Sequence, residues 1–171
     1  MHLTFAIDVE YNLVKGGIRY MIVSFFGHSD FVPNEAIKYR LANILNDIVG
    51  NSDVEFYLGG YGGFDNFAYG CCREFKKMHE NSRLMLVTPY LNMSKRFAAV
   101  ASDYDEVIYP PLEEVIPKYA IYERNKWMVS SAGVVICYVN HAWGGAYTAC
   151  KYCMLHGKQI INLGTFDFVQ K

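Results

Sequence analysis

The stretch from Val134 to Leu163 constrains the fold more than any other part of the chain. It opens with Val134-Val135-Ile136-Cys137-Tyr138-Val139, an unbroken apolar run rich in β-branched residues, the pattern of a strand buried on both faces. Asn140-His141-Ala142-Trp143-Gly144-Gly145-Ala146-Tyr147-Thr148 follows and leads into a helical run from Ala146 to His156, stopped by Gly157. Ile160-Ile161-Asn162-Leu163 is then a further strand. A glycine turn between a buried strand and a helix leaves backbone N–H groups able to hold a phosphate.

The rest of the chain repeats this order. Met21-Ile22-Val23-Ser24-Phe25-Phe26 reads as a buried strand ending at Gly27-His28-Ser29-Asp30. Pro33-Asn34-Glu35 opens a helix with Ile37, Leu41, Ile44, Leu45 and Ile48 at helical spacing, closed by Gly50-Asn51. Val54 to Leu58 is a strand, and after Gly59-Gly60-Tyr61-Gly62-Gly63-Phe64 a helix is predicted from Asp65 to Met78. Leu84 to Val87 is a strand ending at Thr88-Pro89, Ser94 to Val100 a short helix, and Glu106 to Tyr109 a strand stopped by Pro110-Pro111. Ile121 to Ala132 is a helix with Gly133 expected as its cap. Strict alternation with short loops predicts an α/β fold, a single doubly wound, mostly parallel sheet of Rossmann-like type with helices on both faces. Lys15-Gly16-Gly17 is a turn signal, so residues 1–20 are expected to form a β-hairpin extension and residues 21–171 the Rossmann-like domain.

Composition narrows the function. The chain is 52% apolar and 16% aromatic, too apolar for a disordered chain, yet no window nears the ~20 uninterrupted apolar residues of a membrane span. The first residues include Asp8-Val9-Glu10 and lack signal-peptide order, and the five cysteines are an odd number. Together these predict reduced thiols in a cytoplasmic protein. Net charge is −1 with Lys and Arg dispersed, so the expectation is no nucleic-acid partner.

In such sheets ligands sit at the carboxyl ends of strands. Three turns there carry the candidate binding residues: Gly27, His28 and Ser29; Gly59, Gly60, Tyr61, Gly62, Gly63 and Asp65; and Trp143, Gly144, Gly145, Ala146, Tyr147 and Thr148. One glycine-rich loop can be a tight connection needing glycine only for geometry; two at strand ends favour binding. Asp65 suits either helix capping or a ribose hydroxyl, and Trp143 either a base or a half-buried anchor. His28 and His141 fit ordinary loop histidines better than general bases. Arg124, within Glu123-Arg124-Asn125-Lys126, suits a phosphate or carboxylate, though a solvated face explains the same patch. Cys150, Cys153 and His156 have helical spacing, and a zinc site would need a fourth ligand, for instance from Cys71-Cys72 or His141; buried cysteine as a small apolar side chain accounts for them better, so no metal site is expected. Neither a Gly-x-Ser-x-Gly elbow nor a P-loop is present.

In their order and spacing these turns resemble the SLOG superfamily, which joins the Lonely Guy phosphoribohydrolases with the DNA-processing protein DprA. The resemblance covers Met21 to Leu163 and rests on Val23 to Ser29, Tyr57 to Asp65, Leu86-Val87-Thr88-Pro89, Glu123 to Met128, and Gly144-Gly145-Ala146-Tyr147-Thr148, similar to the family's Gly-Gly-x-Gly-Thr loop. It implies a nucleotide site with phosphate at Gly144 to Thr148. It also implies an arginine, matched by Arg124, and a catalytic glutamate three residues after the loop threonine, where this chain has Lys151. Glycosidic cleavage needs a carboxylate, for which Glu123, Asp65 or Asp30 would have to substitute.

The leading expectation is therefore a binding protein for a nucleotide or nucleotide-derived molecule, acting as sensor or sequestering domain, without cofactor. The alternative is a nucleoside monophosphate N-glycosidase or deoxyribosyltransferase-like enzyme with Arg124 and Glu123 as catalytic residues. A DprA-like DNA-binding protein is third. The aromatic excess and the relatives' habit of pairing point to a homodimer, and no membrane partner is expected.

Overall fold

A six-stranded parallel sheet is wound outward from one central strand. The computed structural model describes residues 14–15, 18–92 and 94–168. In chain order the strands are β1 (Val14–Lys15), β2 (Ile18–Gly27), β3 (Asp53–Leu58), β4 (Ser82–Val87), β5 (Glu106–Ile108), β6 (Val134–Tyr138) and β7 (Gln159–Asn162). The helices are α1 (Glu35–Val49), α2 (Gly63–Lys76), α3 (Lys95–Ala101), α4 (Ala120–Ser131) and α5 (Gly145–Leu155). Strands β2 to β7 form the order β5-β4-β3-β2-β6-β7, all parallel, and β1 pairs antiparallel with the start of β2. The pairing of β1 with the start of β2 is described, while Gly16-Gly17 of the expected turn and the rest of the hairpin expected over residues 1–20 lie outside the described residues.

β2 explains why the sheet is covered twice. Met21, Val23 and Phe25 enter one core with Leu41, Leu45, Phe56, Phe64 and Cys72 of α1, β3 and α2. Ile22 and Phe26 enter the other with Met128, Val129, Val135, Ala149 and Cys150 of α4, β6 and α5. Each such side chain contributes about 1.5–3 kcal/mol of burial, so a strand feeding both cores tolerates a polar residue only when it is paired. Ser24, fully buried, meets this by donating its hydroxyl to the carbonyl of Met128 at 3.0 Å. Cys150 and Cys153 are likewise completely buried, as small apolar side chains.

Several element ends shift by a few residues from the sequence reading, and two of these differences bear on the site. α2 begins at Gly63, two residues before Asp65, because Gly62 at φ +90° supplies the turn. Gly133 is not a helix cap: α4 ends at Ser131, the extended Ala132 caps it, and the Gly133 N–H donates to the carbonyl of Ile22 in β2. Among the described residues no helix is long and apolar enough to cross a membrane.

Candidate functional site

β2 has β3 on one side and β6 on the other, so the chain leaves it in opposite directions and a crevice opens at its carboxyl end. A cleft of about 440 Å³ lies there, walled by the turns after β2, β3 and β6 and by α4.

Of the residues expected to bind, Gly27, His28, Ser29, Gly59, Tyr61, Asp65, Arg124, Trp143, Gly144, Gly145 and Ala146 line it. Gly60, Gly62, Gly63, Tyr147, Thr148 and Glu123 are not among its lining residues. Packing accounts for several of these. A Cβ on Gly62 would sit 2.9 Å from Ser29 Cα, and one on Gly63 2.5 Å from the Phe31 carbonyl oxygen. The Gly63 N–H donates to the Ser29 carbonyl at 2.8 Å. The start of α2 is thus pressed against the turn after β2. Tyr147 turns to Phe166 and Phe168, Thr148 donates its hydroxyl to the Gly144 carbonyl, and Glu123 pairs with Lys126.

The start of α5 is the opposite case. Gly144 has φ +91° and ψ 174°, nearly the values of Gly62, and neither helix start has a side-chain cap. Yet nothing lies within 4 Å of a Cβ built on Gly144 or Gly145. Uncapped N–H groups facing a cleft carry the positive end of the helix dipole and suit an anion.

Arg124 supplies the second positive element. It lies on the buried stripe of α4 with Ala120 and Met128 and is 5% exposed. Nη1 donates to the Val87 carbonyl at 3.0 Å, but the buried Nε has no hydrogen-bond partner among the described residues. Burial lowers its pKa and Asp65 opposes the shift; the group stays charged. Gly59 makes room for it, since a Cβ there would meet Arg124 Nη1 at 2.3 Å. Buried Asp65 accepts from the Tyr61 N–H at 3.0 Å. Its carboxyl is pushed up to about 6 by burial, against the pull of that N–H and of Arg124. Asp30 and Asp65 are the cleft-lining carboxylates; Lys151 is an exposed residue of α5.

Three rings close one end. His28 stacks on His141 with centroids 3.6 Å apart, and His141 on Trp143 at 3.7 Å. Trp143 is the outer ring and 68% exposed. His28 Nε2 accepts from the Asn140 N–H at 3.1 Å, which places the proton of the neutral ring on Nδ1. Burial, and then His141, depress the His28 pKa. A neutral imidazole whose lone pair is already engaged is a poor general base, so His28 organises the stack. The sequence reading did not include His141 in the site; its Nδ1 is buried without a partner among the described residues, and nothing in its local sequence signals the stack across to β2.

The layout defines a class: an open parallel α/β sheet with a ligand crevice at its switch point. No protein-family model matches the chain, and no curated protein matches it in sequence. Solved structures do. DprA of Streptococcus pneumoniae superposes with a TM-score of 0.59 at 15% identity, over 88% of this chain and 52% of that one. DprA of Helicobacter pylori, a single-stranded-DNA-binding protein, gives 0.61 at 14% identity over 88% and 68%. The protein TM1055 gives 0.53 at 14% identity over 82% and 72%. The chain therefore has a SLOG/DprA-like fold, and it spans about half the length of the pneumococcal DprA it matches. The expectation of no nucleic-acid partner is corrected by one of these neighbours: the Helicobacter pylori DprA, which shares this fold, binds single-stranded DNA. A near-zero net charge describes the whole surface, whereas nucleic-acid contact needs positive groups only where the ligand lies.

Proposed function

We propose that this protein binds a nucleotide or nucleotide-derived molecule in the cleft above β2, as a sensor or sequestering domain. One observation carries the reading: the buried, incompletely paired Arg124 shares a cleft with the open N-terminal end of α5. A phosphate on Gly144, Gly145 and Ala146 would face a positive helix end, with Arg124 supplying full charge below. Trp143 and Tyr61, both exposed at the cleft, offer flat faces for a base.

The test is thermal unfolding against mono-, di- and cyclic nucleotides. A ligand at a hundred times its Kd adds about 2.7 kcal/mol, or roughly 5–11 °C for a domain of this size. No shift with any member of the panel refutes the reading.

Single-stranded DNA is the second reading, supported by the likeness to DprA. It predicts binding that weakens steeply with salt, measured by fluorescence anisotropy of a labelled oligonucleotide. Release of free base from nucleoside monophosphates, followed by chromatography, would instead indicate an N-glycosidase. The carboxylates that line the cleft are Asp65 and Asp30.

A further inference from the structure

The cleft continues past Gly145. A second cavity of about 230 Å³ lies between α4 and α5 and shares Ile121, Asn125 and Gly145 with the first. Tyr122 and Tyr152 are among its walls, with Ala149 below and Lys126 between the rings. The Lys126 ammonium is 5.2 Å from the Tyr122 centroid and 5.6 Å from that of Tyr152. Tyr122 is 45% exposed, although an aromatic ring gains most when covered. The Lys126 ammonium is already paired with Glu123 at 3.0 Å, so what the recess offers is aromatic surface for a flat ring, and stacking of this kind is indifferent to base identity.

The shared wall is the informative part. Gly145 begins α5, so the open helix end stands between the two cavities. Asn125 stands there as well, and its amide makes no side-chain hydrogen bond among the described residues. Arg124, next to it in sequence, is buried and brings its incompletely bonded guanidinium to the same cleft. An anion at this wall would have ring-binding space on either side.

We infer that the two cavities form one bipartite site for a dinucleotide unit. One base lies in the cleft toward Trp143, the linking phosphate lies at Gly145, and the second base enters the recess against Tyr122 and Tyr152. This rests on the nucleotide reading above and deepens it by fixing the size of the ligand. The unit can come from a free dinucleotide or from a stretch of single-stranded DNA, because both present two bases joined through one phosphate.

The test is calorimetric titration with the four deoxynucleoside and ribonucleoside 5′-monophosphates and their matched 5′-phosphorylated dinucleotides. The best dinucleotide is expected to bind at least about fivefold tighter than its mononucleotide, the lower end of the range for one stacked base. In Tyr122→Ala this ratio falls toward one, and in Tyr122→Phe, which keeps the ring, it stays. Tyr122 is exposed enough that folding should survive, and the unfolding temperature of each variant confirms it. A ratio near one in the unaltered protein, or one that Tyr122→Ala leaves in place, overturns the bipartite site while mononucleotide binding upholds the simpler reading. If neither class binds, the nucleotide reading itself falls and this inference with it. A single-stranded decamer separates the sources: binding as tight as the dinucleotide supports a strand segment, and exclusion of the decamer supports a free dinucleotide.

Discussion

Replacing Asn162 by alanine should loosen the wall that carries His141, Trp143 and Gly144. Its Oδ1 accepts from the N–H groups of Val139 at 2.9 Å and Gly164 at 3.0 Å. Its Nδ2 donates to the carbonyls of Val139 at 2.9 Å and Phe166 at 2.8 Å. One side chain thus ties the end of β6 to the segment after β7. Val139 is fully buried, so its orphaned N–H alone costs about 1–3 kcal/mol. The other three bonds lie at a half-buried position where water can substitute, and the total comes to about 3 kcal/mol. For a domain of this size that is a fall of roughly 6–12 °C in Tm, read by calorimetry or circular dichroism. Asn162→Asp sharpens the test. It keeps an acceptor but sets a carboxylate against two carbonyl oxygens, so its deficit should shrink as the pH is lowered through the carboxylate range. A fall of less than about 2 °C for Asn162→Ala would refute the reasoning, because it would mean a cost below roughly 1 kcal/mol.

Three further outcomes follow from the cleft. Gly59→Ala should abolish the nucleotide-induced Tm shift while the chain still folds, because its Cβ would displace Arg124 Nη1 from Val87; an undiminished shift would separate Arg124 from binding. Gly144→Ala should cost about 1–3 kcal/mol from backbone conformation alone, whereas Gly145→Ala, equally open but with ordinary φ, should be near neutral in thermal unfolding. Asp65 has a folded pKa of about 6 against 3.8, so it binds its proton more tightly when folded. Its contribution favours the native state below about pH 4 and is lost as pH rises through about 6. Denaturant titrations should therefore find the stability of the unaltered protein, relative to Asp65→Asn, falling over that interval and level above it.

Much of the fold was legible because the strands are short, largely apolar runs and the longer helices keep their apolar spacing. Gly50 and Gly157 marked helix ends correctly, both at positive φ. Gly133 misled because a glycine at a helix end carries the same letter whether it turns the chain or merely lets it pass close to β2. Within the site, the three turns were readable as strand ends, but the fate of each glycine was not. Gly62 and Gly144 share a conformation, and only the neighbouring turn decides which is covered. The burial of Arg124 had a signal that the polar patch around it obscured: Ala120, Arg124 and Met128 recur every four residues, so the arginine occupies the inward stripe of α4. Asn162 and the His28–His141 stack had none, since their partners come from distant parts of the chain.

The unequal helix ends give the crevice a direction. Two helix N-termini face the turns around the same opening, but the first N–H of α2 is taken by the Ser29 carbonyl and the helix start packs against Phe31, while nothing lies within 4 Å of a Cβ built at the start of α5. A linear ligand with its negative charge at one end has a single seat for that end, so its head and tail are distinguished before any base is read.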